Sequence, residues 1–205
     1  METVHLIAGL GNPGEEYAGT RHNAGILFVE KLATQWRANW REERRFHCRL
    51  ARAEHGGRSA LLCQPLTFMN ASGEALGAVC AFYKIPASRV LVAVDDADLA
   101  LGSLRLRPKG GTGGHHGLES VEQHLGTAEF ARVRLGIAPE PRRPGSREIT
   151  GHVLGRFTAG ERLLLDKVLD RAAAQASCWL EHGIARAMND YNGAVTAPSN
   201  ESDRQ

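Results

Sequence analysis

The order of apolar and polar positions along the chain predicts alternating strands and helices. Short apolar runs and strict alternation are typical of strands, whereas apolar residues three or four positions apart are typical of amphipathic helices. These patterns predict strands over residues 4–10, 46–53, 59–63, 89–94, 102–107 and 130–137. They predict helices over residues 22–37, 72–83, 118–125 and 158–182, the last with Thr158 as its N-cap and Gly183 as its stop signal.

Loops separate these elements and help to define the fold class. Gly56 and Gly57 predict the turn of a β-hairpin, and loops are predicted over residues 11–21, 65–70, 109–117 and 139–146. Because strands and helices otherwise alternate, we predict one α/β domain over residues 1–192, with a twisted, mixed but mostly parallel β-sheet flanked by α-helices. The polar residues 193–205 are predicted to form a disordered tail.

Composition excludes several classes of protein. The 23 glycines among 205 residues show no collagen period, the 8 prolines are too few for a Pro-rich disordered chain, and no apolar run is long enough to span a membrane. The first residues lack the basic and apolar regions of a secretory signal. The four cysteines lie far apart and form no CxxC pair. We therefore expect a cytoplasmic protein whose Cys48, Cys63, Cys80 and Cys178 are reduced thiols.

The net charge of +2 conceals a local excess of basic residues. Arginine supplies 21 of the 25 basic residues, and its planar guanidinium can bind phosphate through two parallel hydrogen bonds. The excess suggests a polyanionic partner, although composition alone favours an arginine-rich surface that only contacts solvent. Between residues 101 and 147, four acidic residues accompany eight basic ones, which are Arg105, Arg107, Lys109, Arg132, Arg134, Arg142, Arg143 and Arg147.

The segment Gly9–Gly14 has the G-x-G-x-x-G spacing and follows the first predicted strand. A dinucleotide-binding loop would need a helix to begin inside this motif and an acidic residue at the end of the next strand. The helical pattern begins only near His22, and Glu30 falls within that helix. Two other interpretations stay open. The motif could be a tight turn that uses the freedom of glycine, or a turn that places Asn12 at the carboxyl end of a central strand, where ligands bind in open α/β sheets.

His22 and Asp95 are the candidate catalytic pair. Both are predicted near the carboxyl ends of strands, so the carboxylate could bond one imidazole nitrogen and leave the other as a general base. A histidine at this position could equally be a helix cap or a surface residue. The candidate nucleophiles, Ser72 and Cys63, do not lie in a nucleophile-elbow sequence. The pair therefore suggests the activation of water.

A metal site is an alternative use of the same part of the chain. Asp95, Asp96 and Asp98 could ligate a hard cation together with His115 and His116, as in a metallo-phosphoesterase. Against this, adjacent residues of an extended chain point in opposite directions, and the sequence has no H-x-H or H-x-x-x-H spacing. We therefore expect no metal and no other cofactor.

Two further loops carry candidate binding groups. Asn70 is by default a helix N-cap, but its amide could also donate to a developing oxyanion. The preceding Phe68 and Met69 are core residues by default. Residues 109–117 form a Gly-rich loop that is either a mobile surface loop or one that brings backbone N–H groups close to an anion or an ester carbonyl. The basic residues just before this loop favour the second interpretation.

Taken in order, these motifs resemble those of bacterial peptidyl-tRNA hydrolases. The resemblance covers about residues 4–190 and depends on GLGNPG followed by Tyr17 and TRHNAG, on FMN-x-SG, on Asp95 with Asp98-Leu99, and on the Gly-rich loop with His115. It implies a cytosolic, monomeric, metal-independent enzyme that hydrolyses the ester between a peptide and the 3′ ribose of tRNA. The implied partner is peptidyl-tRNA, bound at its acceptor stem and 3′ CCA end.

The resemblance also implies roles for individual residues. His22 would be the general base and Asp95 the carboxylate that orients it, while Asn12 and Asn70 would position substrate and stabilise the oxyanion. Other implied contacts would surround the substrate's 3′ end, form an apolar wall or a flexible loop, or hold tRNA phosphate. They are Tyr17, Asn23, Phe68, Met69, Gly114, His115, His116, Arg105, Arg107 and Arg134.

One position departs from the family pattern. His116 stands where the family usually has asparagine, and its imidazole is larger and can change its charge. The departure leaves open a family member that binds RNA without hydrolysing it. Retention of His22, Asp95, Asn12 and Asn70 favours the hydrolase, because a protein that only binds RNA does not need a general base.

Overall fold

The computed structural model of the protein describes residues 3–138 and 153–195. Within these ranges, eight strands form one sheet: β1 Val4–Gly9, β2 Trp40–Glu43, β3 Cys48–His55, β4 Arg58–Pro65, β5 Val90–Ala100, β6 Ser103–Arg107, β7 Ala131–Ala138 and β8 Gly193–Ala194. The same ranges contain five α-helices: α1 Ala24–Gln35, α2 Ser72–Tyr83, α3 His116–Leu125, α4 Ala159–His182 and α5 Ile184–Tyr191.

The sheet is parallel at its centre and antiparallel at both sides. Its strand order is β2-β3-β4-β1-β5-β7-β6-β8, and the neighbours β4, β1, β5 and β7 run in the same direction. The outer neighbours pair antiparallel. The predicted α/β fold with a mixed sheet is thus confirmed, but parallel pairing is confined to the centre and does not extend over most of the sheet. The carboxyl ends of the four parallel strands meet at one edge.

Helices cover both faces of the parallel centre and bury two apolar layers. On one face, α1, α4 and α5 pack against the sheet, and this layer includes Phe28 of α1 and Leu91 of β5. On the other face, α2 and α3 pack against the sheet, and this layer includes Leu76 of α2 and Val92 of β5. Leu91 and Val92 are neighbours on β5 and point into opposite layers, as the two-residue period of a strand requires. Burial on both faces explains why this strand is apolar without interruption.

Several predicted elements are confirmed closely. Helix α2 has the predicted bounds. Thr158 caps α4 in a reciprocal capping box with Glu161, and the helix ends before Gly183, as predicted. Helix α1 begins two residues later than predicted, at Ala24, because residues 21–23 form a 3-10 turn.

The structure also contains elements that the apolar pattern did not predict. Strand β2 is a mostly polar edge strand, and helix α5 is short. Strand β5 continues to Ala100 because Asp95 and Asp96 still pair with β7. The predicted disordered tail is wrong at Gly193 and Ala194, which form β8. The predicted loop over 139–146 and residues 196–205 lie outside the described residues. No helix in the described ranges has the length and hydropathy that crossing a lipid bilayer requires.

Backbone contacts at the end of β1 explain why Gly9 and Gly25 cannot carry a larger side chain without displacing the backbone. A Cβ on Gly9 would overlap the carbonyl group of Gly25, and a Cβ on Gly25 would come within 2.7 Å of the backbone of Leu10 and overlap the carbonyl oxygen of Ala93. Helix α1 therefore packs directly on the backbones of β1 and β5. Since this helix begins only at Ala24, it does not open within the motif Gly9–Gly14, and the dinucleotide-binding hypothesis is not supported.

We predict that Gly25→Ala destabilises the protein by about 3 kcal/mol, because its methyl group would force α1 away from the sheet. The matched control is Gly160→Ala in the first turn of α4, where an added Cβ meets no atom within 4 Å. That variant should be neutral or slightly stabilising. Urea unfolding of both variants measures the difference, and equal stabilities would contradict this packing.

Candidate active site

Most of the predicted site residues meet in a cleft at the carboxyl edge of the parallel strands. A larger cavity of about 730 Å³ contains Asp95, the Gly-rich loop and the basic residues of β6 and β7. A smaller one of about 400 Å³ contains Phe68, Met69 and Asn70. Both cavities are lined by Asn12, His22 and His116. These three residues therefore mark the junction of the two halves of the cleft.

Asp95 is the centre of a three-residue cluster in this cleft. Its Oδ1 atom lies 2.9 Å from Nδ1 of His22 and 3.1 Å from Nε2 of His115. The carboxylate is 3% exposed, whereas His22 retains 19% exposure. The predicted His22–Asp95 pair is thus present, and His22 is the member that reaches solvent.

The hydrogen bonds of the cluster assign a proton to each ring. The backbone N–H of Leu118 donates to Nδ1 of His115, so that ring must carry its proton on Nε2 to bond Asp95. His22 likewise donates from Nδ1 to the same carboxylate oxygen. The Nε2 atom of His22 is then left with a lone pair at the junction of the two cavities, and this is the arrangement that a general base needs.

The contact between His115 and Asp95 was not predicted. The resemblance had placed His115 only in the loop that borders the cleft. The residue is the N-cap of α3 and accepts from the first turn of that helix while it bonds Asp95. A histidine just before a helix is a recognisable cap signal, but the sequence contains no sign of which carboxylate the other ring nitrogen meets.

Asp95 remains ionised in the folded protein. Burial alone would raise the pKa of its carboxyl group, but the interactions with His115 and His22, hydrogen bonds first among them, outweigh burial, so the pKa lies well below its usual range. An ionised Asp95 can hold the Nδ1 proton of His22 and stabilise the imidazolium that forms when Nε2 takes a second proton.

Asn12 presents the donor end of its side chain to the cleft. Its Oδ1 atom accepts from the backbone N–H of Met69 at 2.8 Å, which leaves the Nδ2 group towards the cavity. The backbone of Asn12 is held by Asn23, whose Oδ1 accepts from the Asn12 N–H and whose Nδ2 donates to the Asn12 carbonyl. The sequence had predicted a substrate contact for Asn23, but the structure buries it and gives it this positioning role.

Residues 68–70 form one wall of the smaller cavity. Phe68 is 60% exposed and Met69 is buried. Asn70 lies inside a 3-10 turn over Met69–Ala71 and makes no capping hydrogen bond, so its default assignment as an N-cap is wrong. Its exposed side chain lines the cavity opposite His22 and is available to a ligand.

The candidate protein nucleophiles are inaccessible. Ser72 and Cys63 are fully buried. A hydrogen bond with Cys48, together with burial, raises the pKa of the Cys63 thiol, and burial raises the pKa of the Cys80 thiol to about 12. All four cysteines are free, as predicted. Neither Ser72 nor Cys63 can therefore reach a substrate in the cleft.

The Gly-rich loop closes one side of the larger cavity. Gly113 and Gly114 adopt positive φ angles of 63° and 75°, which favour glycine. His116 follows the loop, is largely exposed and contacts Glu119 through Nδ1 at 3.1 Å. The loop conformation thus brings His115 into the cluster and leaves His116 at the mouth of the cleft.

The predicted basic residues fall into two groups. Arg105 and Arg107 alternate on β6 and are exposed in the larger cavity, without an ion pair to any residue in the described ranges. Arg134 is 15% exposed and bonds Asp96 as well as the carbonyl oxygens of residues 111 and 112. It therefore holds the Gly-rich loop, which the sequence did not predict.

The remaining basic residues of that stretch add little to the cleft. Arg132 is buried, with hydrogen bonds to Glu122 and to backbone carbonyls, so it is not part of the exposed basic surface. Lys109 pairs with Glu129 at 3.0 Å. Arg142, Arg143 and Arg147 lie outside the described residues.

Tyr17, a predicted substrate contact, is half-buried in the turn after β1 and does not line either cavity.

The aspartates of the metal hypothesis are not brought together. Within the described ranges, the side chains that could share a cation are His22, Asp95 and His115. Asp96 is engaged by Arg134, and His116 by Glu119. Ligation by His115 Nε2 would require its Nδ1 to carry a proton and to give up the hydrogen bond from the N–H of Leu118. The hydrogen-bond pattern therefore favours the cluster as a proton-transfer site.

The sequence of the chain is similar to those of known proteins. The family model described as Peptidyl-tRNA hydrolase matches residues 6–201. A peptidyl-tRNA hydrolase of Synechococcus sp. (strain JA-3-3Ab) is 46% identical over 189 residues, which are 92% of this chain and 83% of that protein. One from Akkermansia muciniphila is 44% identical over 189 residues, which are 92% of this chain and 96% of that protein.

Solved structures show the same similarity in three dimensions. The crystal structure of a peptidyl-tRNA hydrolase from Acinetobacter baumannii superposes with a TM-score of 0.87 at 37% identity, covering 96% of this chain and 98% of that one. The crystal structure of a peptidyl-tRNA hydrolase in complex with N-propanol gives a TM-score of 0.88 at 38% identity, with the same coverage.

The state of Asp95 predicts an acid-sensitive contribution to stability. Because the folded-state pKa is lowered, the carboxylate stabilises the fold at pH values above its unfolded pKa of about 3.9, and this stabilisation is lost as the pH falls further. Between about pH 4 and pH 2.5, the unfolding free energy of the wild type should therefore fall more steeply than that of Asp95→Asn.

Chemical denaturation at several pH values measures this slope. The matched control is Asp166→Asn, an exposed position on α4, which should retain the wild-type slope. If Asp95→Asn has the wild-type slope as well, Asp95 is not held as a stabilised carboxylate.

Proposed function

Because the chain belongs to the peptidyl-tRNA hydrolase family, we propose that its cleft hydrolyses the ester between a peptide and the 3′ ribose of tRNA with His22 as general base. The observation that carries the proposal is the Asp95–His22 hydrogen bond at a half-open cleft, which leaves Nε2 of His22 without a protein partner among the described residues.

The proposed reaction begins with water at the junction of the two cavities. His22 Nε2 takes a proton as the water oxygen attacks the ester carbonyl carbon, and ionised Asp95 stabilises the resulting imidazolium. The bond to the ribose oxygen then breaks, and that oxygen receives the proton from His22. The products are a free tRNA and a peptide carboxylic acid, which releases its proton to solvent and becomes a carboxylate. The buried serine and cysteine noted above support direct attack by water without a covalent intermediate.

Two asparagines are proposed to stabilise the negative charge that develops on the carbonyl oxygen. Asn12 has its Oδ1 held by the N–H of Met69, so its Nδ2 group is positioned before substrate arrives. Asn70 lines the same cavity as His22 and Asn12. Preorganised amide donors contribute most when they meet charge that appears only in the transition state.

The charge of the cleft supports a division of the substrate between its two halves. The larger cavity contains Arg105 and Arg107, which form no ion pair with another described residue, and it suits the acceptor stem and 3′ CCA end of tRNA. The smaller cavity, with Phe68 and Met69, lies on the other side of the junction. His116 lies between them and is proposed to contact the substrate, together with Gly114 of the loop. Tyr17 remains a predicted contact outside the two cavities.

This proposal places the protein in the cytosol, where translation supplies peptidyl-tRNA. All proposed catalytic groups come from one chain, so the site does not need a second copy.

The first test replaces the proposed base. His22→Ala should lower the hydrolysis of N-blocked aminoacyl-tRNA by about 10²- to 10⁴-fold, because water then lacks its proton acceptor. The loss of the ester is followed in the presence of EDTA. His182→Ala at the distant end of α4 is the matched control and should keep wild-type activity.

Three outcomes would contradict the proposal in different ways. Full activity in His22→Ala would show that His22 is not the general base. Wild-type binding of tRNA without turnover at any pH would identify an RNA-binding protein that has lost hydrolysis. Abolition of activity by EDTA would favour the metal-dependent alternative.

The second test separates the two groups of arginines. Arg105→Gln and Arg107→Gln should each weaken tRNA binding and reduce the slope of log affinity against log salt by about 0.7–0.9, as expected for one lost phosphate contact. Arg134→Gln should lower kcat with little change in that slope, because Arg134 bonds Asp96 and the Gly-rich loop.

Filter binding at several salt concentrations and single-turnover kinetics measure these effects. The control is Arg44→Gln, which is 93% exposed and lies beside β2 at the opposite side of the sheet. It should change neither affinity nor slope. If Arg134→Gln reduces the slope of log affinity against log salt and leaves kcat unchanged, Arg134 contacts tRNA phosphate, as the sequence predicted.

A further inference from the structure

Strand β6, which carries Arg105 and Arg107, lies near the margin of the sheet. One of its edges pairs with β7, where Arg105 stands opposite Arg134 and Leu106 opposite Val133. Among the described strands, the one that pairs with its other edge is the two-residue β8, opposite Ser103 and Leu104. The part of β6 that carries the two arginines therefore extends beyond its outer strand neighbour.

One side chain replaces the missing strand at this point. The N–H of Leu106 donates to Oδ1 of Asn192 at 2.6 Å, and Nδ2 of Asn192 donates to the carbonyl oxygen of Leu106 at 3.2 Å. Leu106 is the residue between Arg105 and Arg107. The single carboxamide of Asn192 thus satisfies both outward backbone groups of Leu106, the residue between the two exposed arginines.

Asn192 is itself held by the core helix α4. Gln175, which is 1% exposed, donates from Nε2 to Oδ1 of Asn192 and to the carbonyl oxygen of Ala187. Arg171, also on α4, donates to the carbonyl oxygen of Tyr191. The N–H of Val195 adds a bond to the Gly102 carbonyl just before β6. The carboxamide is therefore fixed from both sides rather than free to rotate.

We propose that Asn192 is a positioning residue for tRNA binding, which acts by fixing the backbone of β6 beneath Arg105 and Arg107. This inference rests on the proposed function, in which these two arginines meet tRNA phosphates. An edge strand whose outward N–H and C=O groups lack partners separates from its sheet more readily. Long side chains attached to a mobile backbone then lose more entropy when they are ordered against a phosphate. His22 and Asp95 lie on other elements and are unaffected.

The test compares Asn192→Ala with Asn189→Ala, an exposed position in α5, the helix that ends just before Asn192. Asn192→Ala should raise the dissociation constant for deacylated tRNA about 3- to 10-fold and leave kcat for N-blocked aminoacyl-tRNA unchanged. Asn189→Ala should change neither. Amide hydrogen exchange of Leu106 should become faster in Asn192→Ala alone.

A double-mutant cycle separates positioning from a general loss of structure. In an Arg105→Gln, Arg107→Gln background, Asn192→Ala should cause no further loss of affinity, because the side chains that it positions are gone. If Asn192→Ala does not fold, Asn192→Asp serves in its place. This variant keeps the acceptor for the Leu106 N–H but sets a carboxylate oxygen against the Leu106 carbonyl, and the same weaker binding is expected.

Unchanged affinity in a folded Asn192 variant would overturn the inference. So would an equal loss in the background without the two arginines, or a fall in kcat as large as the loss of affinity. Failure of the proposed function gives a different result, in which the wild type binds tRNA without hydrolysing the ester. The tRNA affinities of the wild type and the Asn192 variants can still be compared in that case.

Discussion

The hydrogen bonds that converge on the Asp95 carboxylate hold three separate parts of the chain together. Asp95 is on a central strand, His22 precedes the first helix, and His115 caps the third one. A buried carboxylate without partners would be costly or would become protonated. Here both imidazoles donate to the same oxygen, so the carboxylate stays charged and each ring keeps a defined tautomer. The charge that positions the proposed base is therefore stabilised by the base itself and by a neighbouring helix cap.

The fold brings these parts together because parallel strands end at the same edge. Turns that follow β1 and β4 supply Asn12 and Asn70, while β5 carries Asp95. Direct backbone contact between Gly9 and Gly25 lets α1 lie close to the sheet, so that His22 reaches Asp95. Ordinary requirements of packing and strand direction thus account for the geometry of the site. The side-chain amide of Asn12 is oriented by the backbone, because its Oδ1 atom accepts from the Met69 N–H.

Basic residues of similar appearance have different roles in this protein. Arg132 is buried and bonds Glu122 and backbone carbonyls, Arg134 holds the Gly-rich loop, and Arg105 and Arg107 are exposed without ion pairs inside the described part of the chain. Burial and the position on a strand determine this difference, because a guanidinium saturated by protein acceptors has few donors left for phosphate. Local charge excess in a sequence therefore overstates the surface that can meet a polyanion.

The sequence by itself determined the α/β class, most helices and strands, the free thiols, and most of the side chains that line the cleft, because these follow from periodicity and from short ordered motifs. It did not determine the second partner of Asp95, the inward turn of Asn23, or the loop contacts of Arg134. Strand β8, which lies in the segment predicted to be disordered, was also missed. Each of these depends on atoms that lie far apart along the chain, and local pattern contains no information on such distances. Only the tertiary structure decided which polar groups found partners within the protein and which were left for a ligand.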